Sequence, residues 1–265
     1  MTTLTRTPQE LKKALVSATG VSLVPTMGAL HSGHISLVRE AQKVGNPVVV
    51  SIFVNPLQFA PGEDLDAYPR TLEEDLRKLE AEGVEAVFAP SVSTMYPHGP
   101  RTTIHPGPLG SVLEGKTRPT HFAGVLTVVA KLFMLTGATD AFFGEKDYQQ
   151  LALIRQMVED LHLPVRVHGC PIVREDDGLA LSSRNRYLSD GEHEAALALS
   201  RALATGSYDA ALAQLKAAEG IDLDYLAVTT PELEELPEGY TGPARLLVAA
   251  KVGETRLIDN VEIQI

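Results

Sequence analysis

Cysteine is almost absent from this 265-residue sequence: Cys170 is the only one, so the chain cannot form a disulfide with itself. This scarcity fits a reducing compartment, and we expect a cytoplasmic protein. Long apolar runs are also lacking. The candidate at residues 125–135 is shorter than the ~18 residues of a membrane helix and contains Lys131, so it predicts a buried core helix. No signal peptide is expected, because residues 7–10 have the pattern of a helix capping box.

Positive charge is scarce as well. Lysine and arginine number 23 against 34 aspartates and glutamates, which gives a formal net charge of −11. This balance argues against broad, salt-dependent binding to a phosphate backbone, so we expect no nucleic-acid partner and no membrane partner. It leaves room for a small anionic ligand held by a local basic cluster. The length allows one large domain or two modest ones.

Strand-like and helix-like segments alternate through the first two-thirds of the chain. Runs rich in β-branched or aromatic residues occur at 21–26, 47–54, 85–90 and 140–144. Segments with apolar residues at helical spacing occur at 33–44, 70–83, 121–137 and 147–163. This alternation predicts an α/β fold, with a Rossmann-like doubly wound parallel sheet. Ligands of such sheets bind beyond the carboxyl ends of the strands.

The pattern of predicted helices and strands changes after residue 173. Two alanine-rich helical segments and two strand-like runs follow, at 193–206, 209–220, 223–230 and 244–263. The last run contains a predicted turn near residues 252–254. We therefore predict a Rossmann-like domain at residues 1–173 and a second, smaller α+β C-terminal domain at residues 174–265.

The segment Met27–His34, MGALHSGH, lies between a predicted strand and a predicted helix. Its glycines let the backbone approach a ligand closely, and a helix start presents N–H groups and a positive dipole end to an anion. His31 and His34 are spaced to face one way and could donate hydrogen bonds to phosphate oxygens. The alternative is a glycine turn with two solvated or helix-capping histidines. A metal pair is a weaker interpretation, because no third His or Cys lies nearby.

Lys146 lies in a second strand-to-helix segment, GEKDYQQLALIRQ, at residues 144–156. No Walker A pattern occurs in the chain, but this lysine could still meet a phosphate as a point charge. The alternative is a surface lysine paired with Glu145 or Asp147.

A third segment, at residues 173–189, combines the hydroxyls of Ser182 and Ser183 with Arg184 and Arg186. Hydroxyl and guanidinium donors together suit the binding of a polyphosphate. The alternative is a polar interdomain linker that contains a serine helix cap.

A fourth segment, VNPLQF at residues 54–59, places the amides of Asn55 and Gln58 beside Phe53 and Phe59. Neutral amides next to apolar rings can orient a small hydroxylated acid while excluding water. The alternative is a common strand-ending turn of the Asn-Pro type.

These segments belong to a larger pattern, and the sequence resembles the pantothenate synthetase (pantoate–β-alanine ligase) family over nearly its whole length. The resemblance is carried by ordered motifs: PTMGALHSGH, VNPLQF, DLDAYPRT, HFAGV, FFGEKDYQQ, DGLALSSRN and GETRLIDN. The H-x-G-H element alone would indicate only the wider nucleotidyltransferase superfamily.

The resemblance implies a Rossmann-like domain that binds ATP and pantoate, a C-terminal lid or substrate domain, and a homodimer. It also implies a ligase of pantothenate and coenzyme A biosynthesis. The (R)-pantoate carboxylate attacks the α-phosphorus of ATP, giving pantoyl adenylate and pyrophosphate; the β-alanine amine then displaces AMP. Mg²⁺ accompanies the ATP. Its protein ligands stay open, with Glu74 and Asp75 as candidates beside ATP and water.

The resemblance further implies roles for individual residues. The catalytic candidates are His34, His31 and Lys146, with the histidines as hydrogen-bond donors to the transition state. The residues implied to bind ATP are Met27, Gly28, Ala29, Leu30, His31, Ser32, Gly33, His34, Gly144, Glu145, Lys146, Asp147, Val173, Leu181, Ser182, Ser183 and Arg184. The residues implied to bind pantoate or β-alanine are Gln58, Gln150, Pro25, Met27 and Phe53. Arg118 is a further candidate.

Two other functions stay open. One is another H-x-G-H nucleotidyltransferase that acts on a phosphorylated alcohol, which would need more cationic groups than Gln58 and Gln150 offer. The other is a non-catalytic nucleotide-binding module, against which the two histidines, Lys146 and the Ser-Ser-Arg run all speak.

Overall fold

The structure, a computed structural model, describes residues 2–59, 65 and 68–265. Part of the DLDAYPRT motif lies outside these residues. Two compact units are present: the first comprises Met1–Gly144 and Leu153–Cys170, and the second comprises Glu145–Ala152 and Pro171–Ile265. The division into domains after residue 173 stays a prediction. No helix of the described residues is long and apolar enough to cross a bilayer.

The first unit contains a parallel six-stranded sheet, which confirms the predicted α/β fold class. Its strands are β1 Thr3–Thr5, β2 Ser22–Thr26, β3 Val48–Ile52, β4 Ala86–Phe88, β5 Asp140–Gly144 and β6 Arg166–Cys170. They lie in the order β1-β4-β3-β2-β5-β6. The valines of β3 are fully buried, as expected for a strand that is covered on both faces.

Helices occur at the four segments where the apolar spacing predicts them and after the predicted capping box, and short helices at residues 92–95 and 114–117 are additional. The helices are α1 Pro8–Ala14, α2 Ser32–Gln42, α3 Leu72–Ala81, α4 Val92–Met95, α5 Glu114–Thr117, α6 His121–Thr136 and α7 Tyr148–Asp160, the last shared between the units. The predicted capping box is confirmed, because Thr7 and Glu10 exchange hydrogen bonds at the start of α1. The predicted core helix is α6, which ends at Gly137 in the left-handed conformation, with φ of 63°.

The parallel sheet opens at the point where its strand order reverses. Along its whole length β2 pairs with β3, from Ser22 to Thr26. With β5 it pairs at Ser22 and Leu23, although both strands are described throughout. The carboxyl ends of β2 and β5 therefore separate, and such a switch point is where ligands of doubly wound sheets bind.

The second unit contains a smaller antiparallel sheet in the order β7-β8-β9. Its elements are α8 Asp190–Leu203, α9 Tyr208–Ala217, β7 Ile221–Thr229, β8 Pro243–Val252 and β9 Thr255–Gln264. The helices pack on one face of the sheet around buried leucines and valines, including Leu199, Leu246 and Val248. The predicted turn is confirmed at Gly253–Glu254, where Gly253 has φ of 55°.

Candidate active site

The two histidines form a reciprocal cap at the start of α2, just after β2 ends at the switch point. His31 is the N-cap residue, and its Nδ1 accepts a hydrogen bond from the Gly33 N–H at 3.1 Å. In return, the Nδ1 of His34 accepts from the His31 N–H at 3.3 Å. The ring centroids lie 4.1 Å apart. The two histidines therefore cap this helix, as the helix-capping interpretation expects, and the cap restrains both rings.

This cap also determines which ring nitrogen carries the proton. Because each Nδ1 accepts a hydrogen bond, the proton of the neutral ring lies on Nε2. Each histidine is thus prepared to donate a hydrogen bond through Nε2–H. Full proton transfer from His34 would start from an imidazolium, in which a proton on Nδ1 displaces the hydrogen bond from His31. The cap therefore favours hydrogen-bond donation over proton transfer.

A buried carboxylate holds the loop that leads to the histidines. Asp75 is 0% exposed and accepts hydrogen bonds from the N–H groups of Ala29 and Leu30, at 3.0 and 2.8 Å. It also accepts from the Thr71 hydroxyl at 3.1 Å. Ala29 has φ of 51°, an unfavourable left-handed conformation that these contacts stabilise. The N–H groups of this turn therefore point at Asp75.

These contacts bear on the candidate magnesium ligands. Both oxygens of Asp75 are already hydrogen-bonded inside the fold, so this residue does not fit a metal ligand. The neighbouring Glu74 forms an ion pair of 2.7 Å with Lys78. Lys78 in turn donates to the Leu30 carbonyl at 2.6 Å. Helix α3 therefore binds the loop at two backbone N–H groups, through Asp75, and at a backbone carbonyl, through Lys78.

A second network in the first unit orients Gln58. Asn55 donates through Nδ2 to the Gln58 Oε1, and the Tyr96 hydroxyl donates to the Asn55 Oδ1 at 2.9 Å. Burial raises the pKa of Tyr96 to about 12, so the phenol keeps its proton at any working pH. With its oxygen engaged, Gln58 turns its NH₂ group to the Met27 Sδ at 3.1 Å. The structure thus brings together two of the residues that the sequence implies for pantoate.

The HFAGV motif packs against the turn that carries Gln58. A Cβ on Gly124 would collide with the Leu57 carbonyl and come within 2.7 Å of the Gln58 nitrogen, so only glycine allows this approach of α6. His121 and Arg118 both contact the Gln58 carbonyl, at 3.0 and 3.3 Å. Gly124 and His121 therefore both contact the Leu57–Gln58 turn from helix α6.

The lysine loop lies in the second unit, between β5 and α7. Lys146 Nζ is 3.7 Å from the Asp147 carboxylate, as the surface-pair interpretation expects. Glu145 pairs instead with Arg245, at 3.3 Å. The side chain of Asn260 donates to the Glu145 and Lys146 carbonyls, at 2.9 and 3.1 Å. The loop is thus anchored through its backbone.

The Ser-Ser-Arg run lies beside this loop in the same unit. Ser182 is the N-cap of a short 3₁₀ helix, Ser183–Tyr187, and its Oγ accepts from the Arg184 N–H at 3.2 Å. The capping alternative is therefore present here too. Lys146 and Ser182 also line one small cavity, together with Asn185, Asp259 and mostly apolar residues that include Leu179, Leu199 and Leu257. Two separate motifs of the sequence meet at this cavity.

The remaining predicted residues lie at the ends of strands or in the first turn of a helix. Pro25 is on β2, and the Phe53 ring is buried with its centroid 6.2 Å from that of Tyr96. Gly144 ends β5, and Gln150 is in the first turn of α7. The Val173 carbonyl accepts from the Leu181 N–H at 2.9 Å, which closes a hairpin ahead of Ser182.

This arrangement of motifs can be compared with known proteins. A family model described as pantoate-β-alanine ligase matches residues 2–262. The chain belongs to the pantoate–β-alanine ligase family. Pantothenate synthetase of Corynebacterium jeikeium is 65% identical over 254 residues, covering 92% of this chain and 82% of that one. The protein of the same name from Nocardia farcinica is 60% identical, with 92% and 79% covered.

Solved structures of the ligase family agree in fold. Pantothenate synthetase from Thermus thermophilus superposes with a TM-score of 0.92 at 48% identity, covering 98% of both chains. Pantoate-β-alanine ligase from Francisella tularensis, a complex with β-γ ATP and β-alanine, has a TM-score of 0.83 at 35% identity. That match covers 98% of this chain and 97% of the other.

Sequence reasoning missed the groups that hold the ligase motifs in place. The sequence predicts Asp75 only as a candidate metal ligand, contains Asn260 only as the last residue of the GETRLIDN motif, and predicts no role for Tyr96. A signal existed for Asp75, because it shares a helix face with Leu72 and Leu79. A charged residue on a buried face needs polar partners. Asn260 ends the GETRLIDN motif, but the motif does not reveal Glu145 and Lys146 as its partners, and no local pattern marks Tyr96.

Proposed function

We propose that this chain catalyses the ATP-dependent ligation of pantoate to β-alanine. The observation that carries the proposal is the reciprocal histidine cap at the switch point of a doubly wound sheet, in a chain of the pantoate–β-alanine ligase family. The cap supplies preoriented hydrogen-bond donors where a nucleotide is expected. The amide of Gln58 beside Met27 supplies a polar and an apolar contact for a small hydroxy acid.

In the proposed first step, the pantoate carboxylate attacks the α-phosphorus of ATP and pyrophosphate leaves. A carboxylate is a poor acyl donor because its leaving group would be oxide, and adenylation supplies a better one. Negative charge builds up on the phosphate oxygens, and fixed donors stabilise it without reorganisation. We assign this role to His31 and His34 through Nε2–H, and to Lys146, Ser182 and Arg184 as phosphate ligands.

In the proposed second step, the amine of β-alanine attacks the acyl carbon of pantoyl adenylate. The C–N bond forms, the C–O bond to AMP breaks, and the amine loses a proton. Gln58 and Gln150 are proposed to hold the hydroxyl and carboxylate groups of pantoate, while Pro25, Met27 and Phe53 pack against its methyl groups.

Three further features are proposed from family membership. Mg²⁺ would accompany ATP and neutralise phosphate charge; because Asp75 does not fit a metal ligand, ATP oxygens and water would supply its coordination. The chain is proposed to work in the cytoplasm and as a homodimer. Residues 174–265 are proposed as a lid or substrate domain.

A pyrophosphate-release assay tests the proposal. With ATP, Mg²⁺ and pantoate, pyrophosphate should appear without β-alanine, up to about one equivalent of enzyme if the adenylate stays bound. Adding β-alanine should give continuous turnover with AMP and pantothenate in equal amounts. Release without pantoate, or with an amino acid in its place, would show a different nucleotidyltransferase. Binding of ATP with no release of pyrophosphate or AMP would show a non-catalytic module.

A further inference from the structure

We propose that Asp259 and Asn260, neighbours on β9, are positioning residues that hold in place the two segments of the second unit that are proposed to bind the nucleotide. These segments are the loop at residues 145–147 and the hairpin and 3₁₀ turn at residues 173–187. The proposal rests on the proposed function, because it concerns how ATP is held. Neither residue needs to touch ATP itself.

Asn260 fixes the lysine loop through its backbone. Its residue surface is 2% exposed, and its Nδ2 donates to the consecutive carbonyls of Glu145 and Lys146, at 2.9 and 3.1 Å. An amide turned the other way would place its oxygen against both carbonyls, so the orientation is determined. Its Oδ1 is buried without a hydrogen-bond donor among the described residues. A buried, half-satisfied amide is costly in a sheet core. The two hydrogen bonds that Asn260 donates to the loop offset part of this cost.

Asp259 fixes the second segment. It is 3% exposed and forms a two-pronged ion pair with Arg174, with distances of 2.7 and 3.0 Å. Arg174 also donates to the Gly178 carbonyl at 3.1 Å, which closes the hairpin that leads to Ser182. Paired guanidinium and carboxylate groups of this geometry restrict both position and angle. The entry to the Ser-Ser-Arg run is therefore tied to β9.

The two contacts are linked because successive residues of a strand point to opposite faces. One strand can thus anchor the lysine loop on one side and the hairpin on the other. Because β9 is the edge strand of its sheet, segments held on its two faces can meet around that edge, where Lys146, Ser182 and Asp259 line the small cavity. Because phosphate donors act only when held close to their productive geometry, a displaced β9 contact should weaken ATP binding.

The primary variant is Asn260→Asp, which keeps the shape but places a carboxylate oxygen against two carbonyls. Asn260→Ser is a milder variant that retains one donor. Arg256→Gln is the matched control: Arg256 lies on the same strand as Asn260, and its guanidinium group pairs with Asp224 on β7. For each variant, the measurements are the affinity for an ATP analogue with a non-hydrolysable α–β linkage, the KM for pantoate and for ATP, and the melting temperature.

We expect Asn260→Asp to weaken binding of the analogue and to raise the KM for ATP about tenfold or more, with the KM for pantoate within about twofold. Asn260→Ser should lie between it and the unmodified chain, and the control should match the unmodified chain. Unchanged ATP affinity in both Asn260 variants would overturn the proposal. So would equal changes in the KM values for ATP and pantoate that follow the melting temperature, since those indicate a purely structural role.

The binding arm separates this proposal from the proposed reaction. If the unmodified chain binds the analogue but does not respond to pantoate, the proposed function fails while the Asn260 comparison still decides the positioning role. If Asn260→Asp does not fold, Asn260→Ser and Asp259→Asn decide it by the same measurements.

Discussion

Replacing Asp75 by asparagine should slow the chemical step more than it destabilises the fold. The carboxylate accepts from the N–H groups of Ala29 and Leu30, at 3.0 and 2.8 Å. Asparagine keeps one acceptor oxygen but presents an NH₂ group to the other N–H. One buried N–H is then left without an acceptor, which costs about 1–3 kcal/mol. A protein of ordinary stability, about 5–15 kcal/mol, remains folded after such a loss.

The catalytic effect follows from the position of the loop. Its backbone can regain an acceptor only by turning away from Asp75, and Leu30 is bonded directly to His31. A turn of the loop therefore moves His31 and the cap that orients His34. Misplacing a catalytic group by about 1 Å can reduce the rate about 10²-fold. We expect the kcat for pyrophosphate release to fall by about 10- to 100-fold.

The assay combines pyrophosphate release at saturating ATP and pantoate with urea unfolding of the same samples. Glu73→Gln, at an exposed position on the same helix, is the control and should change the free energy of unfolding by less than about 0.5 kcal/mol. An unchanged kcat in Asp75→Asn, together with lowered stability, would refute the positioning argument. Recovery of activity at high Mg²⁺ would also refute it, because Asp75 would then be a metal ligand.

Three other changes test the remaining parts. His34→Ala should lower pantoate-dependent pyrophosphate release by about 10²–10³, as expected for one lost transition-state donor; an effect on β-alanine affinity alone would contradict this. Gly124→Ala forces a Cβ against the Leu57 carbonyl, at a typical cost of about 1–3 kcal/mol, and should raise the KM for pantoate but not for ATP in steady-state kinetics. The hydrogen bond to Asp177 raises the pKa of His193, so the stability from this pair is complete below the ordinary pKa of 6.5 and is lost as pH rises through the raised value. NMR titration of His193 should show the raised pKa, and Asp177→Asn should lower it toward 6.5, with the smaller effects of Glu175 and Glu194 remaining; an unchanged pKa in this variant would point to another cause.

The features that sequence predicts well are those whose atoms lie close along the chain. The Thr7–Glu10 box spans three residues, so its letters alone specify the contacts. The buried valine run of β3 and the glycine that ends α6 are local in the same sense. Strand order follows with more effort, because βαβ units constrain how parallel strands connect.

The features that sequence does not predict join distant positions. The Tyr96 hydroxyl reaches Asn55 across 41 residues, and Asn260 reaches Glu145 across 115. Whether such side chains meet depends on strand order and on the register of the sheet, which no short pattern encodes. The contacts of Asp75 are partly predictable: its place on an apolar helix face indicates that it needs a buried polar partner, but the sequence does not show that the partners are Ala29 and Leu30.

The two interpretations of the Met27–His34 segment, a capped turn and a set of ligand donors, are compatible with each other. The histidines cap through Nδ1, and this use of Nδ1 is what places the proton of each neutral ring on Nε2. A cap made by serine or aspartate would hold the helix equally well but would leave no ring donor to offer. A histidine that must keep its cap to stay in place is also poorly suited to becoming an imidazolium. The same geometry that stabilises the start of α2 therefore supports the proposal that His34 acts as a hydrogen-bond donor.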